Sequence, residues 1–289
     1  MRLLIILLML ITPIAIAQSF QKFTTGLQKD ILVGEVDGLS LTINIALPEK
    51  STQMPQPALV YIHGGGLTKG DKNKFNKQLT KMAKRGVIAA SVMYRFAPEH
   101  RFPAAIEDIE SAIRFLKAHS KELNLNPDRI VILGVSAGAY LATMVGVTGN
   151  ADGFSKHGMY TDFDSTVTAV ISYSGSLADF TNPEYQNFRL VKRFISLNEP
   201  DKNKALSAIS PVTYLDKNDP PFFLAHGSAD EVVPVEMTRD FVLELKKLDH
   251  TFEYIEVEGG KHSLSSTRPK KASEVFSASM EFFKKYAFK

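Results

Sequence analysis

The sequence predicts an α/β fold, with a mostly parallel central sheet, helices on both faces and a small lid insertion. Three observations carry that expectation. From Ala58 onward, short apolar runs rich in β-branched residues alternate with amphipathic helical runs, as in parallel strands joined by crossover helices. Gly134-Val135-Ser136-Ala137-Gly138 stands at one of these strand-to-helix junctions, where a sharp reversal leaves no room for side chains at the flanking positions. The other chemistry-bearing residues also follow expected strands, at the sheet edge where open parallel sheets bind ligands.

Taken in order, Met1–Ala17 reads as a cleaved secretory leader. It has one basic residue (Arg2), an apolar stretch Leu3–Ile11 and a small-residue ending Ala15-Ile16-Ala17. Pro13 interrupts it, and it falls short of the roughly 20 apolar residues that span a bilayer. Export to the periplasm or the medium is therefore expected, with no membrane attachment after cleavage and residues 18–289 forming one domain. Residues 18–30 read as a polar, loosely ordered lead-in. Ile31–Val36 and Leu39–Ala46 read as two strands turned at Asp37-Gly38, a strong hairpin signal. Pro48–Pro57 has no periodicity and reads as a connection.

Strands are then expected at Ala58–Ile62, Val87–Val92, Arg129–Leu133, Thr166–Tyr173, Phe222–Ala225 and Phe252–Val257. Helices are expected at Lys74–Lys84, Ala104–His119, Ala139–Val145, Val235–Leu248 and Ala272–Tyr286. Ile106, Ile109, Ile113 and Leu116 recur at helical spacing. Asn126-Pro127-Asp128 reads as a turn before the Arg129 strand. Residues 174–217 break the rhythm with short polar and aromatic pieces. An interval of that length in a compact α/β domain is expected to be a lid or substrate-binding insertion.

Composition excludes several classes of function. Lys and Arg number 34 against 31 Asp and Glu, well mixed, so no basic stripe offers itself to nucleic acid. There is no cysteine, which removes disulfides, thiol catalysis and thiolate metal sites. The hydrophobic fraction of 44% is ample for one large core.

Ser136 is the candidate nucleophile. A serine on so tight a turn is forced into a strained backbone with its hydroxyl standing clear. The helix that starts just beyond it presents free N–H groups to developing negative charge. Alone, the pattern also fits an inert serine in a glycine-rich turn. His63-Gly64-Gly65-Gly66, after the strand Ala58–Ile62, changes the balance. Its glycines let backbone N–H groups approach a substrate oxygen, with Gly65 and Gly66 as oxyanion donors beside Ala137. A phosphate-binding loop fits less well, because the lysine and serine spacing of such loops is missing. His63 is expected to be structural. Asp230 follows the strand Phe222–Ala225 and His262 follows Phe252–Val257, so both reach the edge that holds Ser136. His262 is the candidate base and Asp230 the group that orients it.

These residues resemble the α/β-hydrolases, and within them the esterases of the hormone-sensitive-lipase and acetyl-esterase branch. The resemblance runs from about Ala58 to the C-terminus. It is carried by His63–Gly66, Gly134–Gly138, Gly227 with Asp230–Pro234, and Tyr94-Arg95-Phe96-Ala97-Pro98-Glu99-His100 with Phe102–Ala105. This last segment resembles a loop that braces the oxyanion region. Gly70-Asp71-Lys72 is similar to small exported or polysaccharide-associated esterases. Ala139 departs from the pattern where a second glycine commonly follows, and Leu67 where an aromatic residue is common. The N-terminal stretch is too short for a full helical cap, so any lid is expected from 174–217.

The resemblance implies a cofactor-free and metal-free serine carboxylic-ester hydrolase acting on short-acyl esters, including acetylated or feruloylated carbohydrates. A serine peptidase or amidase on the same scaffold is the competing enzyme, although its relatives usually carry an N-terminal propeller. A non-catalytic binding protein of this fold is the third reading, and such proteins typically lose one of the three triad positions.

Overall fold

The computed structural model describes residues 22–49, 54–149, 158–196, 200–264 and 270–288. The leader Met1–Ala17 lies outside these residues. Eight strands form one sheet: β1 (Gly26–Val36), β2 (Leu39–Leu47), β3 (Gln56–Ile62), β4 (Ile88–Val92), β5 (Leu125–Val135), β6 (Ala169–Tyr173), β7 (Phe222–Gly227) and β8 (Phe252–Val257). The helices are α1 (Asn76–Ala83), α2 (Ala104–Ala118), α3 (Ser120–Leu123), α4 (Ala137–Thr148), α5 (Arg189–Phe194), α6 (Lys202–Ala208), α7 (Glu236–Lys247) and α8 (Lys270–Ala287). The strand order is β1-β2-β4-β3-β5-β6-β7-β8. The β1–β2 and β2–β4 pairings are antiparallel, and the other five are parallel.

The central strands are apolar on both faces because both faces are covered. On one face Val60, Ile132, Val170 and Leu224 pack with Ile109 and Ile113 of α2, Leu141 of α4 and Phe241 of α7. On the other, Leu59, Val131, Ile171 and Phe223 pack with Leu79 of α1 and Phe282 and Phe283 of α8. Every residue of α4 is buried, so this helix carries no polar stripe. Among the described residues, no helix is long and apolar enough to cross a membrane.

The Asp37-Gly38 turn joins β1 to β2 with Val36 opposite Leu39, and both turn residues have positive φ (52° and 74°). That is the backbone a two-residue hairpin requires. The lead-in is shorter than the sequence suggests, because β1 begins at Gly26 and pairs it with Leu47. Irregularities at Gln28/Ile31 and Leu32/Gly34 break the alternation that would have marked the strand, and Asp30 takes φ 54° at the first of them. Asn126-Pro127-Asp128 is likewise not a separate turn. It is an excursion within β5, between the Gln56–Leu125 and Ala58–Ile130 pairs. The Asn126 side chain closes it by accepting from the Asp128 N–H at 3.0 Å. The expected Lys74–Lys84 helix divides into a 3₁₀ turn at Lys72–Phe75 and α1, with Asp71 capping the turn through the Asn73 N–H.

Strand-to-helix packing at the elbow dictates its glycines. A Cβ on Gly134 would lie 2.1 Å from the Gly138 carbonyl oxygen, and one on Gly138 would lie 2.2 Å from the Ile62 carbonyl oxygen. Both obstacles are backbone and cannot rotate away. Gly138→Ala is therefore expected to cost about 1–3 kcal/mol of stability, the usual range for overpacking. Urea denaturation of purified protein checks this, and an unchanged midpoint would refute the close approach.

Candidate active site

Ser136 closes β5 and caps α4 with φ 57° and ψ −123°. A non-glycine residue in that region is strained by about 1–3 kcal/mol, which the surroundings must offset. They do so through the Ser136 N–H, which donates to the Tyr173 carbonyl at 2.8 Å, and the Ser136 carbonyl, which accepts from Ala139 and Tyr140. The serine Oγ lies 2.9 Å from His262 Nε2, and His262 Nδ1 lies 2.8 Å from Asp230 Oδ2. A nitrogen facing a carboxylate carries its proton there, so Nδ1 donates to Asp230 and Nε2 is free to accept from the serine. The Ser174 hydroxyl holds the loop by donating to the His262 carbonyl at 3.0 Å. The three residues expected from strand-end positions are thus brought into one hydrogen-bonded line.

Asp230 is wholly buried as a side chain. Burial pushes its carboxyl up, but the N–H groups of Val233 and Val232 and the His262 ring more than offset this. The net shift is below the usual carboxylate range. The two amides reach Oδ1 at 3.0 and 2.8 Å.

The structure adds a residue that was not anticipated. His226, at the end of β7 and fully buried, places Nε2 3.1 Å from Asp230 Oδ2 and 3.0 Å from the Val233 carbonyl. Its Nδ1 lies 2.7 Å from the Thr238 hydroxyl. Nε2 faces two acceptors and donates to them, burial lowers the pKa of the ring, and the Thr238 hydroxyl also reaches the Gly175 carbonyl at 3.4 Å. The aspartate is held from four directions.

His63 behaves as a structural residue. It is buried, stacks on Tyr94 with centroids 4.4 Å apart, and donates from Nδ1 to the Gly64 carbonyl at 2.9 Å. The Tyr94 hydroxyl donates to the His63 carbonyl at 2.9 Å, and the Ala97 N–H to the Leu67 carbonyl at 2.8 Å. The Tyr94–Ala105 segment thus touches the glycine loop directly. Gly65 (φ 135°) and Gly66 (φ 63°) adopt backbones suited to glycine, and a Cβ on Gly65 would fall 1.7 Å from the Lys69 carbonyl oxygen.

Gly65, Gly66 and Ala137 line the same cavity of about 580 Å³ as Ser136 and His262. Residues 174–217 supply another wall through Phe188, Arg189, Leu190 and Arg193. Arg193 Nη1 donates to the Gly66 carbonyl at 2.9 Å, tying this insertion to the glycine loop. Arg101 ties it from the other side, donating to the carbonyls of Arg193 and Ile195. Nothing local in the sequence signals these contacts, since the partners lie far apart along the chain.

Comparison with known proteins follows the same lines. The model of the BD-FAE family matches residues 43–245. Esterase LipC of Mycobacterium tuberculosis is 30% identical over 214 residues, covering 72% of this chain and 53% of its own. The probable carboxylic ester hydrolase LipM of the same organism is 32% identical over 199 residues, or 66% of this chain and 45% of its own. The chain thus spans about half the length of the curated relatives it matches. Est2 of Thermogutta terrifontis, solved with butyrate bound, superposes with a TM-score of 0.77 at 25% identity, covering 91% of this chain and 95% of that one. The chain belongs to the BD-FAE family, within the carboxylesterase branch of the α/β-hydrolases.

Proposed function

We propose that this protein is a serine carboxylic-ester hydrolase that acts on short-acyl esters through an acyl-enzyme. The observation that carries the reading is the line from Ser136 through His262 to Asp230, with links of 2.9 and 2.8 Å, opening into a cavity walled by Gly65, Gly66 and Ala137. Ser136 Oγ attacks the ester carbonyl carbon as His262 Nε2 takes its proton. The carbonyl oxygen becomes an oxyanion held by the N–H groups of Gly65, Gly66 and Ala137, each contributing about 10²–10³ in turnover. The C–O bond to the alcohol then breaks, and His262 returns the proton to the departing oxygen. Water repeats the sequence on the acyl-serine to release the acid.

Several findings support this reading. The relatives named above are esterases, and one solved neighbour holds butyrate, a short acyl group. Acetylated or feruloylated carbohydrates are the proposed alcohol partners, with export directed by Met1–Ala17.

The test is hydrolysis of p-nitrophenyl acetate, butyrate and octanoate against p-nitroacetanilide, followed by mass analysis after exposure to an organophosphate. Acetate and butyrate are expected to be preferred, with one phosphoryl adduct per chain, on Ser136. Silence on every ester would overturn the reading, and comparable anilide turnover would favour an amidase.

A pH dependence follows from the same geometry. Asp230, with its carboxyl held low, stays ionised where ordinary carboxylates begin to protonate. The acid limb of kcat/KM then reflects one group only and should have unit slope as pH falls. A slope near two would show that Asp230 titrates with it. The sign for stability is fixed by the same shift. The contribution of Asp230 is full above the unfolded carboxylate value and is lost as pH falls through its lower folded value.

A further inference from the structure

Among the described residues, the cavity that holds Ser136 is lined by three cations, Lys69, Arg189 and Arg193, and by no aspartate or glutamate. The chain as a whole carries 34 basic and 31 acidic residues, so this clustering does not follow from a general surplus of positive charge. Among the described residues, no carboxylate forms an ion pair with any of the three, and the Arg189 guanidinium lies over the Phe188 ring, 5.9 Å from its centroid. The carboxylate of the catalytic line, Asp230, is wholly buried and faces His262 and His226.

The two arginines are held in place by the backbone. Arg189 Nη2 donates to the Val232 carbonyl at 2.6 Å, and Arg193 Nη1 to the Gly66 carbonyl at 2.9 Å. A guanidinium has five N–H donors, so one carbonyl contact fixes each head and leaves others free for an anion. Phe188, Leu190 and Val232 line the same cavity. Cations beside apolar walls suit an organic anion better than a bare inorganic one, because the carbon skeleton is buried while the charge is met.

We propose that the preferred ester carries a carboxylate, which Lys69, Arg189 and Arg193 bind while Ser136 attacks the ester carbonyl. The proposal rests on the esterase reading above and names its substrate class. The carboxylate makes and breaks no bonds; the reaction remains ester plus water to acid plus alcohol. It can belong to the acid half of the ester, as in a dicarboxylic monoester, or to the alcohol half, as in an acylated uronic acid.

Two matched pairs distinguish these sources: monoethyl succinate against ethyl butyrate, and monoacetylated methyl glucuronoside against the corresponding glucoside. Wild-type kcat/KM for the charged member of one pair is expected to exceed its neutral twin by about ten-fold at low salt, from two to three exposed charge contacts. Raising NaCl from about 0.01 M to about 1 M shortens the Debye length from about 30 Å to about 3 Å and should erase most of that ratio. Lys69→Glu with Arg189→Glu should invert it, whereas Arg189→Lys should keep its sign. The wild-type salt response stands even if the double variant folds poorly. If p-nitrophenyl acetate is hydrolysed but the charged esters are inert, or no faster than their twins, the carboxylate proposal falls and the esterase reading survives. If every ester is inert, both fall together.

Discussion

Replacing Ser136 with alanine is expected to lower kcat on p-nitrophenyl acetate by about 10⁶-fold, the loss seen when a serine nucleophile is removed from a working triad. Residual catalysis of about 10³–10⁴ over water should persist, because the oxyanion donors and the cavity remain. Stability should barely change. Alanine inherits the same positive φ of 57°, and the backbone bonds to Tyr173, Ala139 and Tyr140 do not involve the hydroxyl. An unchanged urea midpoint would show that the activity was lost through chemistry rather than unfolding. A variant retaining more than about 1% of kcat would remove Ser136 from the nucleophile role.

Asp230→Asn is the second large effect, at about 10⁴-fold in kcat. The carboxylate has no donor of its own and accepts from four: the N–H groups of Val232 and Val233 on one oxygen, His262 and His226 on the other. An asparagine cannot satisfy that set. With its NH₂ toward the histidines, His262 must move its proton to Nε2, where it can no longer accept from Ser136. With its NH₂ toward Val232 and Val233, two backbone donors are left facing another donor, at about 1–3 kcal/mol each. The first arrangement gives the catalytic loss and also sets the NH₂ against the buried His226 Nε2–H, whereas the second keeps the His262 tautomer and loses mainly stability. Steady-state kinetics on p-nitrophenyl acetate, paired with denaturation, tells them apart. A loss smaller than ten-fold in kcat, with folding unchanged, would mean that Asp230 does not orient the base.

The candidate site was legible in the sequence to an unusual degree, because its parts sit on local structure. Ser136 is flanked by Gly134 and Gly138, whose crowding against Gly138 and Ile62 backbone admits no side chain. Asp230 and His262 each follow a short strand, and parallel neighbours bring such ends to one edge of the sheet. Gly65 and Gly66 announce unusual backbone by being glycines in series. His226 was not legible as a partner of Asp230, since a histidine at a strand end says nothing of which way its ring is packed. Arg193 carried still less signal, being one basic residue among several in the insertion. The first strand was also understated, because its bulges at Gln28/Ile31 and Leu32/Gly34 scramble the period of two.

By itself, the sequence determined the alternation of strands and helices, the Asp37-Gly38 hairpin, the elbow and the strand-end places of the three candidate catalytic residues. Those features arise from neighbouring residues: periodicity, side-chain volume and permitted φ act within a few positions. Only the tertiary structure decided the strand order, the seating of residues 174–217 against the glycine loop, and the gathering of Lys69, Arg189 and Arg193 around one cavity. These depend on contacts between segments distant in the chain, such as Ala58 with Ile130 and Arg193 with Gly66, the latter at a separation of 127. Such contacts are selected by the packing of the whole core, and no local pattern encodes them.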